Sequence, residues 1–141
     1  MSDSAFPEEA HVSGFSATAD RFSEAPLDLN ELLVRKPAAT FFVRASGEAM
    51  MGAGILPGDI LVVDRSLPAR SGAIVVAWVD GEFLVRTYRD EGGEVRLEPA
   101  NPALSPVRLS DGEELRLFGV VTACVHRFAK VRPDSPSVDD Q

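Results

Sequence analysis

One hydroxyl stands where a predicted strand gives way to a turn. The segment Ala45-Ser46-Gly47-Glu48-Ala49-Met50-Met51-Gly52 follows the strand candidate Thr40–Arg44. It is patterned to open a helix, with Ser46 as its N-cap. Backbone N–H groups at such a junction have no intrahelical partner, so they can stabilise an oxyanion, and a nucleophile there would be well exposed. Yet position 49 is alanine, and a serine in a capping position is more often structural than nucleophilic. No Ser-His-Asp set can be assembled. His126 lies in the continuation of a core strand and reads as a satisfied or surface histidine. Asp59 and Asp64 bracket a strand and Asp80 sits in a turn, where aspartate commonly bonds local backbone. Gly52-Ala53-Gly54 lacks the lysine and following helix of a phosphate-binding loop. A single cysteine, Cys124, excludes an internal disulfide and a cysteine-built zinc site, and the two histidines, His11 and His126, are too few and too separated for a His-rich site. Neither a metal nor a cofactor is expected.

The elements around this segment read as mostly β. Asp59–Asp64 is entered by the turn Pro57-Gly58, and Ala73–Val79 follows Ser71-Gly72. Asp80-Gly81 then joins that run to Glu82–Tyr88, a strong hairpin signal between two β-branched, aromatic stretches. Glu91-Gly92-Gly93 turns into Glu94–Glu98, and Leu115–Val125 is a long strand bent at Gly119. Short strands spaced this way predict a compact, mostly antiparallel, partly closed sheet assembly. Ahead of it, Asp28–Val34 reads as a short helix with Asp28 and Glu31 in a capping-box pattern, ended by Pro37.

With 141 residues, 45% apolar and 26% charged, the chain can build one ordinary core. Its formal charge of −8 argues against a non-specific nucleic-acid binder, which needs a basic face. No apolar run approaches a membrane span and the first residues lack a secretion signal, so a cytoplasmic location is expected. Residues 1–26, with Phe15 and Phe22 as candidate anchors, read as a flexible arm, residues 27–130 as the β domain, and residues 131–141 as a loose acidic tail.

Three stretches carry a family resemblance: Phe42–Met50, Gly54–Asp64 and Gly81–Arg86. Together they resemble the S24 peptidase family, the self-cleaving SOS-response proteins of the LexA and UmuD type. The likeness runs from about Gly14 to Phe128 and is nearest to the UmuD-type members, accessory subunits of translesion DNA polymerases. Asp28–Leu33, Asn101–Pro106 and Phe118–Val121 match further stretches of those members. The resemblance implies the LexA/UmuD C-terminal-domain fold and a self-cleavage bond at Ser13-Gly14, where the family usually has alanine or cysteine before the glycine. It places the nucleophilic serine on Ala49 and the general-base lysine on Arg86, and makes the backbone N–H groups of Glu48 and Ala49 the oxyanion donors.

Both dyad residues are therefore replaced. Alanine has no oxygen to attack with, and arginine stays protonated and cannot serve as the base. An engineered cleavage-dead form and a natural pseudoenzyme both fit this loss. The implied partners are a second copy of the chain, the RecA–single-stranded DNA filament and a Y-family DNA polymerase, with no membrane and no direct sequence-specific DNA binding. The rival readings are an active self-processing peptidase using another nucleophile, such as Ser46, and a fragment of a LexA-like repressor. Limited proteolysis should attack residues 1–26 first and leave Leu27–Phe128 whole by mass. Early cutting within residues 40–90 would contradict the assigned core.

Overall fold

The computed structural model describes residues 26–109 and 115–129. The chain divides into two units after Arg35. In the first, helix α1 (Leu29–Leu33) is capped by Asp28, whose carboxylate accepts from Asn30 N–H at 3.0 Å. The helix stops at Val34, ahead of Pro37, which instead begins a 3-10 turn, Pro37–Ala39.

The second unit is one antiparallel sheet. Its strands are β1 (Thr40–Arg44), β2 (Ile60–Asp64), β3 (Ile74–Val79), β4 (Glu82–Glu91), β5 (Glu94–Glu98), β6 (Val107–Arg108) and β7 (Leu115–Val125). They lie in the order β1-β2-β7-β3-β4-β5-β6, so the expected mostly antiparallel β assembly is what this chain forms. The hairpin at Asp80-Gly81 sets β3 against β4 with Val79 opposite Glu82. The strand β4 runs three residues beyond its sequence-predicted end, because Thr87–Glu91 pair with β5.

The sheet buries apolar side chains in two clusters. Leu61, Val63 and Val76 join Ala45, Met50 and Ile55 in one, and Val75, Ala77, Val79 and Leu97 form the other. The alternation of Val75, Val76 and Ala77 between clusters follows from the two-residue period of a strand. The first cluster takes in residues flanking the segment 45–55, so that segment rests on the core.

The long strand β7 lies inside the sheet, paired with β2 on one side and β3 on the other. Its pairing slips by one residue on each side, between Val62 and Val63 and between Val76 and Ala77, which is how one strand follows two twisted neighbours. The two pairings share the strand's length, Leu115–Val120 with β3 and Val120–Val125 with β2. Gly119 lies between the two slips. A Cβ there would sit 2.6 Å from Val63 Cγ1 and 3.1 Å from Asp64 O. We expect Gly119→Ala to destabilise the fold by about 1–3 kcal/mol, as overpacked core sites do, read as a lowered denaturant midpoint at unchanged slope.

Candidate functional site

The chain between β1 and β2 is neither helix nor strand. Residues 45–50 form bends and turns and lead into a 3-10 turn, Met51–Ala53. The expected helix with Ser46 as cap is therefore not formed. Gly47 has φ +76°, outside the helical region, and the cap of the 3-10 turn is Met50, with no side-chain bond. Long-range backbone bonds take the place of helical ones. Ala45 N–H donates to Asp59 O and Gly58 N–H to Ala45 O, both at 2.8 Å. Ala100 N–H donates to Ala49 O at 2.8 Å and Gly52 N–H to Ala100 O at 2.7 Å. Asn101 adds a side-chain latch, its Nδ2 donating to Glu48 O at 2.9 Å. The latch was not foreseen, although an Asn-Pro turn signal marks the place.

This loop forms one wall of a groove of about 420 Å³. The other wall is the start of β4, Phe83–Arg86, and Leu104 stands at the rim. Ala49 and Arg86 both line it, as do Ser46 and Glu48. Ser13 and Gly14 lie outside the described residues. Arg86 alternates with Val85, which packs in the cluster that includes Ala49. It still reaches the groove because residues of both parities of β4 line the wall, which is a strand edge and not a sheet face. Its Nη1 donates to Val85 O at 2.9 Å, and its Nε is shielded from solvent with no hydrogen-bond partner. Burial pushes the guanidinium down from its ordinary value, and Glu82 pulls it back. A group that starts so high remains a cation at neutral pH. Among the described residues, no acceptor takes the backbone N–H of Glu48 or Ala49.

Asp59 anchors the far end of the loop. Its carboxylate is 1% exposed and collects three groups: Leu56 N–H at 2.9 Å, His126 Nδ1 at 2.5 Å and Cys124 Sγ at 3.7 Å. Asp59 is thus the turn residue that the sequence suggested, and His126 is satisfied by it. Burial alone would raise the Asp59 pKa, but the Leu56 N–H and His126 outweigh it and hold the carboxyl below its ordinary value. Burial and the Asp59 charge push the Cys124 thiol up, away from nucleophilic chemistry. Among the described residues no cluster of histidine, cysteine and carboxylates could hold a metal.

Residues 10–122 match the Peptidase S24-like family. The chain belongs to that family. It is 45% identical over 127 residues to Protein ImpA of Salmonella typhimurium, covering 84% of this chain and 81% of that one. Protein MucA of Escherichia coli is 39% identical over 117 residues, 77% of this chain and 75% of MucA. The LexA repressor of Anaeromyxobacter dehalogenans is 36% identical over 119 residues, 83% of this chain but 52% of the repressor.

The Asp59 cluster generates a test. A carboxyl held low in the folded state stabilises the protein above its unfolded pKa, and that contribution is lost as pH falls through the lower folded value. Asp59→Asn should cost about 1–3 kcal/mol at neutral pH, the cost of disturbing a buried hydrogen-bonded charge. The gap between the two proteins should close from about pH 4 downward, as wild-type Asp59 takes up its proton. Urea denaturation of both proteins at several pH values reads it. A gap that stays constant with pH would mean that the charge of Asp59 is irrelevant.

Proposed function

We propose that this chain is a UmuD-like SOS mutagenesis protein whose self-cleavage is disabled. One observation carries the reading: in a chain of the S24 family, Ala49 and Arg86, the residues assigned here to the positions of nucleophile and base, line one groove. In an active member, a lysine desolvated in this groove would lose its proton and take one from the serine hydroxyl. The attacked carbonyl oxygen would be held by the N–H groups of residues 48 and 49. Here the frame for that chemistry remains while the attacking oxygen and the base are gone.

The protein then acts by binding. Its partners in this reading are a second copy of itself, the RecA–single-stranded DNA filament and a Y-family polymerase, in the cytoplasm. No helix among the described residues is long and apolar enough to cross a membrane. Matches over three quarters or more of ImpA and MucA, against about half of LexA, support an accessory protein over a repressor fragment. Activity from Ser46 is disfavoured, because among the described residues no lysine or histidine lines the groove to deprotonate it.

Reversion tests the assignment. Ala49→Ser alone should leave the chain whole, because Arg86 cannot accept the proton. Arg86→Lys alone should do the same, because no nucleophile exists. The double variant should cleave between Ser13 and Gly14, faster at mildly alkaline pH, where a desolvated lysine is more often neutral, and faster again with RecA filament. Intact mass reads loss of residues 1–13. The dependence should be strongly non-additive, as for groups that act as one unit. Cleavage of the starting protein at that bond would refute the dyad assignment.

A further inference from the structure

The groove holds a buried donor that nothing among the described residues satisfies. Arg86 Nε is shielded from water and unpartnered, while Nη1 is fixed on Val85 O at 2.9 Å. A buried unpaired donor on a charged group is costly, and the group that would satisfy it best is an anion with two oxygens in one plane.

The wall beside it is a free strand edge. On one side, Glu82–Thr87 of β4 pair with β3. On the other, pairing with β5 begins only at Thr87, opposite Glu98. Residues 82–86 therefore have one unpaired edge among the described residues. Tyr88 N–H donates to Ala73 O at 2.8 Å, toward β3, so by alternation Phe83 and Val85 turn their backbone groups outward. An extended peptide can pair there.

It cannot continue past Arg86. Beyond that point the edge is taken by β5, and the chain after β5 is bonded to the opposite wall, Ala100 N–H to Ala49 O. The guanidinium itself caps the outward Val85 carbonyl, so it stands in the path of the added strand. A chain that must stop beside a cation is one that ends in a carboxylate. The open N–H groups of Glu48 and Ala49 in the opposite wall add donors for the same group.

We propose that this groove is a receptor for the C-terminal carboxylate of an extended peptide, added parallel to β4 with its last residue at Arg86. Val43, Met50, Ile55 and Leu104 give it apolar walls, so the last side chains of the ligand are apolar. The proposal rests on the groove being the cleft of a disabled S24 chain. It makes the arginine a recognition residue in a protein that no longer cuts.

The test uses the full chain and an N-terminally labelled hexapeptide of β-branched residues ending in alanine, as the free acid and as the C-terminal amide. Fluorescence anisotropy should show the acid binding at least tenfold tighter than the amide. Arg86→Gln should abolish that preference, and Arg86→Lys should keep part of it, since lysine supplies charge without the planar fork. Equal binding of acid and amide, or none of the acid up to millimolar peptide, overturns the proposal without needing any variant. Complete displacement of the acid by millimolar acetate would reduce the site to a simple anion site and overturn the peptide claim. The double reversion reads cleavage and this assay reads binding to the uncut chain. Success in the first with failure here would leave the family mechanism standing and remove only this inference.

Discussion

The site depends on a loop held mainly through its own backbone groups. Residues 45–52 carry no regular structure beyond the opening of a 3-10 turn, yet their carbonyls and N–H groups are tied to Asp59 and Gly58 at one end and to Ala100 at the other. The approach to Ala100 is so close that a Cβ at Gly52 would lie 2.6 Å from its oxygen. Bonds of this kind do not ask which side chain stands at position 49. On the proposed assignment, position 49 can therefore hold alanine while the N–H groups of residues 48 and 49 and the groove stay in place, and loss of chemistry need not mean loss of architecture.

Position 86, the proposed site of the base, follows different physics. Burial lowers the pKa of any cation. For a lysine the shift can reach neutrality and produce a base. For Arg86 the same burial lowers a value that begins far above neutrality, so the charge survives. One environment thus gives two outcomes, according to where the side chain starts. The guanidinium also brings a planar array of donors, of which one is used on Val85 O and one is left buried and open.

The strands were legible because their signals are local. β1, β5 and β7 were read from the sequence with the bounds they have, since each is a β-branched or aromatic run closed by turn residues. The Asp80-Gly81 hairpin is likewise written in adjacent residues. The segment 45–53 was misread as a helix start because what shapes it lies fifty residues away, in the bonds of Ala100 and Asn101. The two-residue strand β6 is too short for any periodicity to declare it. Ala49 and Arg86 were found only through a family likeness, because neither residue type announces a site. The buried Asp59 could be read as a turn residue, but its link to His126 joins positions 59 and 126 and has no local signature.

On the proposed assignment, the alanine–arginine pair also changes how the groove answers to pH. The ionisable residues that line it are Arg44, Glu48 and Arg86. Arg86 keeps its charge despite burial, whereas a desolvated lysine can lose its own. A serine–lysine groove must lose a proton before it works, so its behaviour is tied to pH by construction. An alanine–arginine groove has no such step: its cation persists from acid to alkaline pH, and its interaction with an anion depends on the anion's own ionisation and on salt. Replacing only the serine would leave a buried lysine that can shed its charge and with it any hold on an anion. Replacing only the lysine would leave a hydroxyl with no group to activate it. On the proposed assignment, alanine at 49 with arginine at 86 is the combination that removes the reaction and keeps a permanent charge in the cleft.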